Sequence, residues 1–557
     1  MPEIVNYPKK TKFNANDVLL TDGSEGTKII TIENAVNDIS LRAADSSLSM
    51  TGKLAPAKEV GQRLAELNTI ATAAQKEAKE WAEVAEEAAN RTYKRYIARW
   101  DKVNAQMVRQ GDAEGITTDT SNFGHFGEVN PNYSNPFDTI YPWSERRLCN
   151  IDLAAYMALG SGDDITDCVV AWEGDTTFSY DHEYGVWVYT PEFWGDGWDD
   201  GTYRYFEVDD REVKGKHHFP AHIGGRWHGR EVTLSINGTD KDCLIPSPGM
   251  PAKRIAISTL HTYAKNYGAT LDNIWSMDAS SLLYLVEYAH FNTQTKLGSG
   301  VSSLYDEGEK KVGADAADSA VIRIPANMAA NAIVGAILDI GTAKGGNQVG
   351  SFSIEAVEPV AGDDTLLAVT LNEAVTVTTA NYVSIHGKIN TADEAIGGRS
   401  GYIGTNGKSS AYYRGEQFFG NLWRYVLGTY HQANTHHVFI AADEDGADAV
   451  NAINVNVHKD TGVVLAGSNG YTKTLGMFRA DGLFALPATT EIGGSSSAPT
   501  GDYYYAGTTS NTVLLVGGFA NAGPYAGRFF GSWNYPASSS SWFSGACPLL
   551  KNPPEGV

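Results

Sequence analysis

Cysteine is scarce: the 557 residues hold four, Cys149, Cys168, Cys243 and Cys547, none of them in a CxxC pair. That spacing argues against a disulfide framework or a zinc ribbon and predicts reduced, mostly buried thiols. Basic side chains are in deficit, 43 against 66 acidic ones, which leaves a net charge of -23. A surface of that sign repels a phosphate backbone, so nucleic acid is not expected as a partner. Long apolar runs are missing as well. No segment offers the roughly 18 consecutive apolar residues of a spanning helix, and the opening MPEIVNYPKKTKFNAND has no apolar run behind its lysines. Neither a signal peptide nor membrane insertion is expected.

What the chain does have is glycine (58 residues), 11% aromatic side chains and 42% hydrophobic residues. This is the composition of a folded, β-leaning, loop-rich protein. At roughly 100–200 residues per domain, the length implies several structural units.

Residues 1–52 alternate short β-like runs with turn signals, DVLLT then KIITI around Asp22-Gly23-Ser24, and read as a small module. Residues 56–109 lack proline after Pro56 and glycine after Gly61 and are dense in Ala, Glu and Lys. This predicts one long helix, a stalk over residues 53–112. Leu64, Leu67, Ala71, Ala74, Ala78, Trp81, Ala85 and Ala88 fall at alternating spacings of three and four, a coiled-coil seam for self-association. A helix of about 50 residues would extend ~75 Å, too far for one compact domain to cover.

Residues 113–212 turn aromatic and Gly/Asp-rich, a β-rich shoulder with strands such as GVWVY. Residues 213–318 carry two compact helices, over 259–267 and 279–289, with Ser258 and Asp278 as expected N-caps. Residues 319–390 shift to Val, Ile, Thr and Ala in alternating runs such as LLAVTL, an inserted small β-domain. Residues 391–557 are rich in Gly, Ser, Asn and Tyr.

Three constellations carry residue types with chemistry of their own. His217, His218, His222 and His228 crowd one stretch, but its Pro and Gly residues break helical ligand spacing, so a packed or surface cluster is favoured over a metal site. Glu192, Asp196, Asp199 and Asp200 offer hard oxygens for calcium without the loop spacing of a calcium motif, and solvated turn carboxylates are the favoured reading. Glu173 with Asp175, or Glu192 with Asp196, have the residue types of a glycan-cleaving pair. No β-helix repeat accompanies them.

Two segments resemble a known family. Tyr412-Tyr413-Arg414-Gly415-Glu416, followed by Phe419-Gly420-Asn421-Leu422-Trp423-Arg424-Tyr425-Val426, resembles the core of C-type-lectin folds of the formylglycine-generating-enzyme type. Val516 to Phe529, with its Gly517-Gly518 and Ala526-Gly527, the serines 538–541 and Gly545, is similar to the C-terminal ligand-binding face of phage receptor-binding proteins, including retroelement-diversified ones. The segments 282–300 and 20–30 resemble phage tail and tail-fibre sequence.

The resemblance implies an α+β C-type-lectin-like head, formed by 213–318 and 391–557 and interrupted by the inserted β-domain. It implies a virion protein of a tail tip or fibre, assembled in the host cytoplasm and joined to tail or baseplate proteins through the N-terminus. A homotrimer binding a host surface protein or glycan is expected, with no catalysis and no cofactor. The family's copper oxidation uses a C-terminal cysteine pair, and only Cys547 stands there. A glycan-cleaving tailspike and a purely structural tail subunit are the alternatives.

The resemblance places ligand-facing side chains at Phe519, Asn521, Pro524, Tyr525, Phe530, Ser532, Trp533, Asn534, Tyr535, Ser539, Trp542 and Phe543. Tyr525, Trp533 and Tyr535 are the expected energetic anchors. Trp423 is expected in the core and Arg414 in a polar network.

Overall fold

The computed structural model describes residues 17–22, 26–31, 69, 72, 93–118, 124–125, 135–302, 310–344, 346–388, 390, 401–403, 409–441, 458–488, 490–497, 499–507, 510–552 and 554. The chain forms two compact units, 1–93 and 94–557. In the first, Asp17–Asp22 pairs antiparallel with Gly26–Thr31, Leu19 opposite Ile29. This is the strand pairing that the two β-like runs predict.

The expected architecture, a long coiled-coil helix followed by an α+β lectin-like head, is corrected. Strand outweighs helix, 46% to 13%, and the molecule is multi-sheet and β-rich. Residues 95–111, assigned to the stalk, are two strands, Arg95–Asp101 and Gln106–Gly111. Burial there alternates, with Tyr96, Ala98 and Trp100 inside, and a period of two marks a strand, whatever the helix propensity of the Ala/Glu-rich run before it. The seam positions Leu64, Leu67, Ala71, Ala74, Ala78, Trp81, Ala85 and Ala88 lie outside the described residues. Thr69 and Thr72 are helical positions, and the other α-helices among the described residues are Leu153–Met157, Ile257–Lys265, Ile274–Tyr288 and Thr293–Leu297.

In the second unit, a five-stranded sheet runs in the order His217–Phe219, Phe193–Asp199, Tyr203–Asp209, Arg95–Asp101, Gln106–Gly111. A six-stranded sheet includes Pro548–Leu550, His222–Gly225, Trp187–Thr190 and Arg147–Ile151. A larger sheet is built on Trp423–His431, Thr512–Gly517 and Gly527–Tyr535 and ends at Tyr503–Tyr505 and Gly470–Tyr471.

The helix Ile274–Tyr288 runs through the middle, buried at every position from Met277 to Tyr288. It starts earlier than the sequence indicated because Asn273 caps it reciprocally with Ser276. Asp278, Ser280, Ser281 and Glu287 have partners on other elements, whereas the buried Tyr284 hydroxyl has no hydrogen-bond partner among the described residues. Asp278, expected as a cap, instead lies inside the helix and accepts the Phe484 and Ala485 amides at 2.8 and 2.7 Å. Glu287 accepts two nitrogens of Arg414 at 2.8 Å each, the Tyr413 hydroxyl at 2.8 Å and Asn135 at 2.6 Å.

Residues 316–388 form a five-stranded antiparallel sheet around their own apolar cluster, with Ile322, Ile324, Leu338, Ile340 and Val369 at its centre. Polar links hold it to the rest of its unit: Lys253 Nζ lies 2.7 and 2.8 Å from the Asp339 carboxylate, and the Gly387 amide donates to Asn421 at 2.9 Å.

Candidate functional site

The C-terminal strands collect tyrosines on one edge of the large sheet. Tyr503–Tyr505 pairs antiparallel with Gly470–Tyr471, Tyr471 directly opposite Tyr503, and runs parallel to Gly527–Tyr535. Strand alternation separates Tyr504 from its neighbours. Tyr504 is 1% exposed and packs with Ile274, Met277 and Trp533, while Tyr503 and Tyr505 stand half-buried.

Tyr525 arrives from the short turn Gly523–Tyr525 and completes the group. The Tyr503 ring lies 5.1 Å from Tyr471, 4.4 Å from Tyr525 and 5.2 Å from Tyr505, and Tyr471 lies 5.5 Å from Tyr525. These are edge-on and tilted contacts, the geometry aromatic quadrupoles prefer. Phe530 floors the group, 5.4 Å from Tyr505, and packs in turn on Trp423 at 4.5 Å. Burial and the neighbouring Tyr525 raise the Tyr471 hydroxyl above its ordinary pKa, so it stays a neutral donor at physiological pH.

The structure divides the twelve expected ligand-facing residues. Asn521, Pro524 and Asn534 are exposed, and Phe519, Tyr525, Tyr535, Ser539 and Phe543 are half-buried. Phe530, Ser532, Trp533 and Trp542 are interior, at 0, 0, 0 and 3% exposure. Trp533 therefore acts as core, because its strand position turns it toward the Ile274–Tyr288 helix. A second aromatic group, Phe519, Phe543 and Tyr535, lies apart from the tyrosines, with Phe519 5.1 Å from Phe543 and Phe543 5.7 Å from Tyr535.

Sequence reasoning missed Tyr471, Tyr503 and Tyr505. The available signal was the Tyr-Tyr-Tyr run itself, since alternation in a strand must put two of the three on one face. Trp423 is 1% exposed, and Arg414 is enclosed by Glu287 and the Trp143 carbonyl, 2.9 Å away.

The other constellations are tied up locally. His218 meets Glu192 at 3.0 Å, His222 bonds the Pro220 carbonyl at 3.2 Å, and His228 bonds Gln417 at 3.0 Å. Asp196 pairs with Arg479 at 2.6 Å, Asp199 with Lys102 at 2.5 Å, and Asp200 accepts backbone amides of its own turn. Glu173 accepts from Tyr180 at 3.1 Å and Asp175 from the Trp172 amide at 2.8 Å. Among the described residues no group of three His, Cys, Asp or Glu is arranged to hold a metal ion. All four cysteines are buried free thiols. Burial pushes Cys168 and Cys547 up to about 12 and Cys243 up to about 11, which makes them poor nucleophiles.

No protein-family model matches the chain, and no curated protein matches it at a significant level.

Proposed function

We propose that the chain attaches a virion to a host-cell surface, using Tyr471, Tyr503, Tyr505 and Tyr525 as its contact platform. The observation that carries this reading is the mutual bracing of four half-exposed rings over a buried Phe530 and Trp423. Rings already fixed by their neighbours lose little conformational freedom when a ligand covers them, so more of the contact energy appears as affinity. Tyrosine adds a hydroxyl to each apolar face and suits both sugars and protein loops. The sequence likeness to phage tail proteins at 20–30, 282–300 and 516–545 supplies the biological setting.

The test is binding of fluorescently labelled full chain to a panel of bacterial cells. Tyr503→Ala with Tyr525→Ala should lower affinity by at least about thirtyfold, since one Tyr hot spot is commonly worth ~2 kcal/mol. Undiminished binding by a folded double variant would reject this surface. Release of reducing ends from the polysaccharide of the same cells would identify glycan cleavage instead.

A further inference from the structure

The junction between the 316–388 sheet and the rest of its unit sets an amine against a carboxyl carbon. Lys253, in the segment before the Ile257–Lys265 helix, is 86 residues from Asp339 in sequence. Asp339 stands on the strand Ala336–Ala343 and is 0% exposed. Lys253 Nζ lies 2.7 Å from Asp339 Oδ1 and 2.8 Å from Oδ2, so it faces the Cγ carbon between them. The two oxygens differ in their other neighbours. Oδ1 accepts from Gln348 Nε2 at 2.8 Å and from the Ser351 hydroxyl. Oδ2 lies 2.9 Å from Nε2 of His386, which is itself 0% exposed.

We propose that Lys253 and Asp339 condense into an intramolecular isopeptide bond, a covalent clamp between the 316–388 sheet and the body that carries it. Nζ first passes one proton to Oδ2. Its freed lone pair then forms the bond to Cγ, and negative charge develops on Oδ1, where Gln348 and Ser351 already donate. A second proton moves from Nζ to Oδ2, relayed by the His386 ring. The Cγ–Oδ2 bond breaks with its electron pair on oxygen, and Oδ2 departs as water. The product is an Nζ–Cγ amide with one hydrogen left on Nζ, and His386 ends as it began. Only groups of this chain react, so the step needs no entry path and no co-reactant.

In water an ammonium and a carboxylate stay ionised and do not condense. Two features of this junction change that. Burial penalises charged forms and lowers the proton affinity of Lys253, which favours the neutral amine and acid that the attack requires. Reactants held in contact also behave as though present at roughly 10⁵–10⁸ M. The ion pair remains the resting form, because against burial the Lys253 ammonium and His386 hold the Asp339 carboxyl low. Condensation is therefore a slow event that follows folding and happens once per chain. The clamp is independent of the tyrosine platform, with which it shares no residue.

The experiment is intact-mass spectrometry of the denatured full chain after purification and storage. The wild type should weigh one water less than its sequence requires, and proteolysis should release a branched peptide that joins the stretches around Lys253 and Asp339. Lys253→Arg keeps the cation but replaces the amine by a guanidinium that does not give up its proton, so it should restore the full mass. Full sequence mass in the wild type, or a water lost equally by Lys253→Arg, would overturn the proposal. Should Lys253→Arg fail to fold, fragment ions of the wild-type branched peptide decide alone: a bond at Lys253 Nζ and Asp339 Cγ upholds the clamp, and one at any other pair rejects it.

Discussion

Asp209 and Glu287 are both carboxylates with 0% exposure, yet their surroundings give them opposite roles. Glu287 is enclosed by Arg414, Tyr413 and Asn135, and its carboxylate, with Asp138 3.1 Å from the same guanidinium, holds Arg414 firmly protonated. Neutralising Glu287 leaves the buried Arg414 charge with only the half-exposed Asp138 as counter-ion. Glu287→Gln should therefore cost about 3–5 kcal/mol in urea unfolding. Asp209 has two buried oxygens without hydrogen-bond partners and sits two residues from Glu207 on the same strand. Burial first, and the Glu207 charge second, push its pKa up to about 8. An acid whose folded pKa exceeds its unfolded value binds more protons when folded. Its contribution is complete below about pH 4 and is lost as pH rises toward 8, at up to ~1.4 kcal/mol per pH unit. Asp209→Asn should flatten the fall in unfolding free energy between pH 5 and 8, and an unchanged slope would place that pH dependence on other groups.

The elements closest to local rules were legible in the sequence, and those set by distant partners were not. The pairing of Asp17–Asp22 with Gly26–Thr31 is visible because its two β-like runs are close neighbours in sequence. The strand Arg95–Asp101 was hidden because its Ala-rich approach favours helix, while its pairing with Tyr203–Asp209 comes from far along the chain. The candidate site divides in the same way. Tyr525 was named from the family resemblance of the 516–545 stretch, whereas Tyr471 and Tyr503 meet only through a strand pairing. Trp533 was misplaced because composition does not reveal which face of a strand meets a helix. Gly111 tests the corrected element by sign. In a helix, Gly→Ala stabilises by roughly 0.5–1 kcal/mol. Here Gly111 has φ +63° and an added Cβ would lie 2.5 Å from the Arg95 carbonyl oxygen, so Gly111→Ala should instead destabilise, read as a lower urea midpoint.

At the scale of the 94–557 unit, one interior differs from another in how it is joined. The sheet of residues 316–388 has an apolar cluster of its own, and its attachment runs through charge. Asp339 is fully buried, takes Lys253 at 2.7 Å and lies 2.9 Å from His386. The Lys253 ammonium and the neighbouring His386 hold its carboxyl far below the usual carboxylate range, while burial keeps the His386 imidazole itself below its ordinary pKa. Desolvating both ions makes the pair a weak source of net stability, while an unpaired Asp339 is strongly unfavourable. Lys253→Met should therefore cost about 3–5 kcal/mol, and Lys253→Met with Asp339→Asn should cost clearly less than the sum of the two single changes. Chemical unfolding of the four proteins gives the coupling directly. Strict additivity would mean that the two side chains do not interact across this junction, and the sheet would then have to be held to its unit by the hydrogen bonds of the Gly387 amide to Asn421 and of the Asn390 side chain to the His228 carbonyl instead.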